Sequence, residues 1–236
     1  MTACGGGDGT PTLTVSAASS LKRAFTAYGR EFASAHARFS FAGSDELAAQ
    51  IEQGVRPDVF ASANTKLPEE LYAKGLVERP AVFAANRLVL AVPAQGAKVH
   101  SLADAARAGV TLAVGAPSVP VGSYTRKVLS HLPAAERGGI VRNVRSDEPD
   151  VTGVVGKVAQ GAVDAGFVYI TDVRAADGRL AAIALPRALQ PGVAYAAAVV
   201  KGASHRAQAE AFVRGLLKGA GRRALDRAGF ERPASR

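Results

Sequence analysis

The sequence contains no tryptophan and a single cysteine, Cys4. One cysteine excludes an internal disulfide and any cysteine-built metal centre. No apolar run approaches the ~20 residues that a membrane-spanning helix requires. The four histidines, His36, His100, His131 and His205, lie far apart without metal-ligand spacing. Isolated histidines of this kind are expected at the surface or at helix ends. No Gly-x-Ser-x-Gly nucleophile elbow is present, and no Gly-x-x-x-x-Gly-Lys phosphate loop. The run Gly5-Gly6-Gly7-Asp8-Gly9 follows no strand, so it is not a dinucleotide loop.

What is present is a chain of 236 residues, 48% hydrophobic and 21% charged, enough for one large domain or two small lobes. Lysine and arginine number 29 against 20 acidic residues, a formal charge of +9. A basic protein can bind nucleic acid, touch an anionic membrane or steer a small anion. The basic residues are scattered and not interleaved with aromatics, which argues against nucleic acid. The one modest cluster, Lys218, Arg222, Arg223 and Arg227, reads as a solvated helix face. Small residues ahead of Cys4 and a glycine-rich tether behind it look like the end of a bacterial lipoprotein signal, with Cys4 the lipid-bearing residue. An apolar leader would be expected ahead of it, and Met1 reads as an added start residue.

Apolar runs alternate with helical stripes. Thr12 to Val15, Phe39 to Ala42 and Val59 to Ala63 read as strands. Leu21, Ala24, Phe25, Tyr28 and Phe32 mark a helix between the first two, Leu47, Ala48 and Ile51 a second, and Pro68 to Lys74 a third. From Leu88 to Val92 the pattern resumes as a strong strand. It continues through a short helix over Ser101 to Ala108, a strand over Thr111 to Val114 and a helix over Ser123 to Leu132. A valine-striped helix follows from Val151 to Val158. Ala165 to Ile170, Ala181 to Leu185 and Val193 to Val200 are the remaining strands. Two helices close the chain, one capped by Ser204 and one ending at Gly229. No internal repeat is visible. Strands separated by helices imply an α/β fold with mainly parallel sheets. The expected division is a tether over 1–11, one lobe from 12–86 plus 196–236, and a second lobe over 87–195 that includes the crossover strands. A ligand cleft would lie between the lobes.

Helix starts present free N–H groups and a favourable dipole to anions. Several turns here follow a strand and open a helix. Ser19-Ser20 precedes the first helix, and Ser44 follows Phe41-Ala42-Gly43. Ala116 to Ser123 leads into the third of these, and Asp150-Val151 opens the valine-striped helix. Ligands of open α/β sheets sit beyond the carboxyl ends of the strands. Each serine alone is a good helix cap whatever the function. Together the turns could form an uncharged, donor-rich cage. Asp147-Glu148 is placed in a turn, where solvation or helix-dipole complementarity explains it better than acid–base catalysis.

From Thr12 to Pro233 the chain resembles the molybdate-binding proteins of ABC transporters, in the class II periplasmic-binding-protein superfamily. The resemblance rests on Leu13 to Leu21, Phe41 to Leu47, Pro57 to Ala63, Pro120-Val121-Gly122, Asp150-Val151, Ala165 to Asp172 and Ala228-Gly229-Phe230. It implies a two-lobed fold and capture of molybdate or tungstate without counter-charges or cofactor. The donors it implies are the hydroxyls of Ser20, Ser44 and Tyr169 and the backbone N–H groups of Val121 and Val151. Tyr169 is indicated by the resemblance alone. Ser19 stands where the family usually has alanine, and Ser16 where it has an aromatic, so Ser19 is a possible extra hydroxyl. Val121 replaces a smaller residue and would narrow the pocket. The resemblance further implies a monomer outside the cytoplasm that serves an ABC permease and its ATPase, held at the membrane if Cys4 is lipidated. No catalysis, resident metal or nucleic acid is expected. The alternatives are sulfate, thiosulfate or another tetrahedral anion, a serine-dependent hydrolase, and a sensor domain on the same fold.

Overall fold

The computed structural model describes residues 10–233; Cys4 and the first part of the tether lie outside them. The chain runs β1 (Thr12–Ala18), α1 (Lys22–Glu31), β2 (His36–Ala42), α2 (Ser44–Glu52), β3 (Val59–Ser62), α3 (Lys66–Ala73) and β4 (Ala81–Asn86). It crosses at Arg87 into β5 (Leu88–Pro93), β6 (Leu112–Gly115), α4 (Pro120–Ser130), α5 (Ala134–Asn143), β7 (Val144–Glu148) and α6 (Val151–Ala159). The same lobe continues with β8 (Ala165–Tyr169), α7 (Ile170–Ala175) and β9 (Leu180–Ala184). It returns through β10 (Val193–Val199) and ends in α8 (Arg206–Leu217) and α9 (Ala220–Ala228).

Two five-stranded sheets result, ordered β2-β1-β3-β10-β4 and β7-β6-β8-β5-β9. Each has three adjacent parallel strands, then one antiparallel strand that has crossed from the other half, then a partner antiparallel to it. The two halves therefore share one topology, a repeat that the sequence does not display. β10 pairs with β4 from Val193 onward, so residues 193–195 join the first sheet and not the second lobe.

The central strands are buried on both faces, as near-continuous apolar runs require. Behind the first sheet, Phe25 meets Phe212 edge-on at 5.6 Å and Tyr28 lies 4.5 Å from it. The Tyr28 hydroxyl donates to the Phe212 carbonyl.

Several elements differ from expectation for identifiable reasons. α5 carries Gly138-Gly139 and has no apolar stripe, and β7 is a polar edge strand, so neither shows a period. β4 and α7 are likewise absent from the sequence reading, and Ser101 to Ala108 contains only a 3-10 turn over Ala103–Ala106. α4 begins at Pro120, where the fixed φ of proline suits a first helical residue. Ser204 does not cap α8; the cap position is His205, whose N–H donates to Asp58 at 2.9 Å. Gly229 ends α9 at φ 91°, in the left-handed region. Arg222, expected in solvent, is buried and donates to the carbonyls of Phe83 and Phe230 while pairing with Asp226. Among the described residues no helix is long and apolar enough to cross a membrane.

Candidate functional site

The carboxyl ends of β1, β2 and β3 face those of β6, β7 and β8, and a cavity of about 20 Å³ lies between them. Its lining brings together Ser19, Ser20, Ser44, Val121, Val151 and Tyr169, the six residues expected from the sequence to face an oxyanion. Ala18, Gly43, Ala63, Val119, Pro120 and Asp150 complete most of the wall. The lobes touch here: a Cβ on Gly43 would stand 2.6 Å from the Pro149 carbonyl oxygen across the cleft. Only glycine permits that approach.

Each donor is held by its turn. Ser44 is the first residue of α2 and is 1% exposed. Its hydroxyl caps nothing and instead accepts the Ala63 N–H at 3.1 Å, which leaves its own proton to give. Ser20 lies in the 3-10 turn Ser19–Leu21, also without a capping bond, and its hydroxyl is 3.0 Å from that of Tyr195. The bland reading of both serines as helix caps is therefore not what the structure contains. Ser19 lines the same wall.

In the opposite lobe, Pro120 is the first residue of α4 and has no N–H, so the first backbone donor of that helix belongs to Val121. Gly122 allows the helix to pack on its own strand, because a Cβ there would strike the Ala116 carbonyl. Asp150 caps α6 by accepting the Gly153 N–H at 3.0 Å, which leaves the Val151 N–H at the open end.

Tyr169 ends β8 and is 1% exposed. Its N–H donates to Asp172 at 2.9 Å, while its hydroxyl has no hydrogen-bond partner among the described residues. Burial holds this phenol well above its usual range, with the neighbouring Tyr195, Tyr124 and Asp172 adding to the effect, so it remains a donor. An unpaired buried hydroxyl costs ~1–3 kcal/mol, so the cavity lacks an acceptor that this group needs.

Among the described residues no lysine, arginine or histidine lines the cavity, and Asp150 is its only carboxylate. Asp172 stands just behind, and its carboxyl is pushed up to about 7 by burial. The Tyr169 N–H offsets part of that rise and the Asp150 charge adds to it. Positive charge gathers outside: a groove of about 740 Å³ bears Lys22, Arg23, Arg30 and Arg179 and shares Ser19 and Ser20 with the cavity. It can draw anions towards the cleft. Asp147 and Glu148 lie in β7, not in a turn, and are absent from the cavity lining. Asp147 pairs with Arg126, and Glu148 with Ser146 and Lys157. No cluster of metal-ligating side chains occurs among the described residues.

Tyr195 and Asn86 were not legible as site residues. Tyr195 is one aromatic in an alanine-rich strand, and its partner Ser20 is 175 positions away. Asn86 ends β4 beside the crossing at Arg87 and reaches both Thr171 and Tyr195.

Residues 13–231 match the model of the bacterial extracellular solute-binding protein family. The molybdate-binding protein ModA of Mycobacterium tuberculosis is 39% identical over 231 residues, 95% of this chain and 86% of that protein. The periplasmic molybdate-binding protein of Azotobacter vinelandii superposes with a TM-score of 0.84 at 24% identity, over 94% of this chain and 99% of that one. The sulfate-binding protein SubI of Mycobacterium tuberculosis superposes almost as well, at 0.82, with 16% identity over 95% of this chain and 88% of that one. At such identities the superpositions speak for the two-lobed fold alone.

Proposed function

The chain belongs to the bacterial extracellular solute-binding proteins, and on that premise we propose that it captures molybdate or tungstate between its lobes and delivers it to an ABC uptake transporter. The observation that carries this reading is the buried, unpartnered Tyr169 hydroxyl, set among serine hydroxyls and two helix starts in a wall that, among the described residues, carries no cationic side chain. Such a wall donates hydrogen bonds and offers no counter-charge. A tetrahedral dianion has the matching chemistry, being all acceptor.

Ser20 and Ser44 donate from the first lobe; Tyr169 and the N–H groups of Val121 and Val151 donate from the second. Ser19 is placed to add a further hydroxyl. Each bond to a charged acceptor is worth ~1.5–3 kcal/mol net. Because donors come from both lobes, the ligand favours the closed arrangement. The process is binding without bond-making: among the described residues no histidine lines the cavity to serve as a base for either serine. The closed monomer then docks on a membrane permease driven by its ATPase. A lipid on Cys4 holds it at the outer face of the membrane, which is supported by the small residues before that cysteine and the tether after it.

Thermal melting tests the ligand assignment. Molybdate and tungstate at micromolar concentration should raise the melting temperature, as a ligand bound only by the folded state must. A larger rise with sulfate would transfer the site to that anion.

A further inference from the structure

We infer that Asn86 and Tyr195 are positioning residues that fix the Ser20 hydroxyl as a donor into the cavity. The inference deepens the oxyanion reading and rests on it. Ser20 Oγ and Tyr195 Oη are 3.0 Å apart, and that distance permits either to donate. The direction matters because an oxyanion only accepts. A Ser20 proton spent on Tyr195 would leave a lone pair facing the ligand.

Asn86 decides the direction. Its Oδ1 accepts the Arg87 N–H at 2.9 Å, which fixes the orientation of the amide, since the flipped form would set donor against donor. Nδ2 then faces Thr171 Oγ1 at 2.9 Å and Tyr195 Oη at 3.4 Å. An amide nitrogen of this kind can only donate. Tyr195 Oη therefore accepts from Asn86, and its single proton is left for Ser20. Ser20 Oγ accepts that proton, and its own proton is free for the cavity it lines. Burial keeps Tyr195 protonated, holding its phenol well above the ordinary range.

The placement follows from the sheet. Asn86 pairs with Val193 and Ala84 with Tyr195, so Asn86 and Tyr195 are diagonal neighbours on one face. A bulge follows at once, where Ala196 pairs with Val82. Asn86 is also the last residue before the crossing, while Thr171 belongs to the second lobe, two residues beyond Tyr169. The bond between them joins the two lobes beside the crossing, while the relay itself, Asn86, Tyr195 and Ser20, stands wholly in the first lobe.

Titration calorimetry with molybdate on a double-mutant cycle tests this, using wild type, N86D, Y195F, S20A and the two doubles with S20A. The carboxylate of N86D accepts from Tyr195, which then accepts from Ser20 and turns that proton away from the ligand. Affinity should fall about tenfold to a hundredfold in N86D. In the S20A background the same change should cost less than about threefold. An added negative charge acting directly on the ligand would cost the same factor in both backgrounds, and that result overturns the relay. Y195F adds no charge and decides the matter if melting shows N86D unfolded. It should lose about fivefold with Ser20 present and less than about twofold without it. Equal losses in both backgrounds, or none, overturn the inference. A wild type that binds sulfate and not molybdate overturns the ligand assignment instead, and the same cycle is then read with sulfate. A wild type that binds neither overturns both.

Discussion

In the first lobe, Asp58 accepts both the N–H and the hydroxyl of Thr14 at 2.8 Å; in the second, Asp164 accepts the same two groups of Thr111 at 2.8 Å. The threonine hydroxyl in turn accepts the aspartate N–H at 3.1 Å in both. Each pair clamps the first parallel strand of its sheet to the third, at the end away from the cavity. The second carboxylate oxygen differs. That of Asp58 takes the His205 N–H at the foot of α8 in the interior, and that of Asp164 takes the Lys98 ammonium near solvent. At the other end of the strands the lobes diverge further. The first offers serine hydroxyls, whereas the second offers two backbone N–H groups and one phenol. A shared frame sets where donors stand, and the local turn sets which atom does the donating. Side-chain donors can be removed by substitution, and backbone donors cannot.

The largest effect should come from breaking the frame where it is most buried. Asp58→Ala leaves two backbone N–H groups and a hydroxyl without their acceptor, and should cost ~3 kcal/mol in urea denaturation. Asp164→Ala should cost about half as much, because water can replace part of what is lost. Equal costs would show the two clamps to be equivalent. For both aspartates burial opposes ionisation, but the threonine bonds, with the His205 N–H on Asp58 and the Lys98 ammonium on Asp164, outweigh it and lower the carboxyl below its usual value. Their stabilisation is accordingly present above the usual carboxylate range and lost as pH falls through the lowered value.

At the mouth, Ser44→Ala should weaken molybdate binding by ~1.5–3 kcal/mol, while Val151→Ala, which keeps its N–H, should stay within ~0.5 kcal/mol. Calorimetry that found the valine change as damaging as the serine change would remove the distinction between the lobes. Tyr169→Phe should act with opposite signs on two measurements. It should lower affinity about tenfold and raise the stability of the ligand-free protein by ~1 kcal/mol, since it deletes an unpaired buried hydroxyl.

The smallest effect concerns pH. The carboxyl of Asp172, pushed up to about 7 by burial, is neutral below that value and charged above it. A raised carboxyl gives stability that is full below the ordinary carboxylate range and lost as pH rises through about 7. A charged Asp172 also repels a dianion, so affinity should decline a few-fold between about pH 6 and pH 8. Asp172→Asn should flatten both curves; a decline that persists in this variant would assign the pH dependence elsewhere.

The central strands of both sheets were legible because runs such as Leu88 to Val92 are apolar on both faces, as a central strand must be, whereas β4, at the edge of the first sheet, was not. Nor was β7, since Val144–Glu148 is an edge strand with polar side chains. The duplicated topology left no trace in the sequence beyond Thr14 with Asp58 and Thr111 with Asp164, and paired residues so far apart have no local period. Ser20 and Ser44 stood out by turn chemistry. Tyr169 did not, because a tyrosine ending a buried strand has the pattern of a core residue until its hydroxyl is found unpaired. Tyr195 and Asn86 emerge only when β10 and β4 are seen side by side.

The central claim is that donors from both lobes converge on one tetrahedral oxyanion. A crystal structure grown with molybdate, with the metal located by its anomalous scattering, tests it most directly. The expected result is one peak whose oxygens lie within hydrogen-bond distance of the hydroxyls of Ser20, Ser44 and Tyr169 and the N–H groups of Val121 and Val151. A peak in the groove beside Lys22, Arg23 and Arg30, with the cavity left empty, would contradict it.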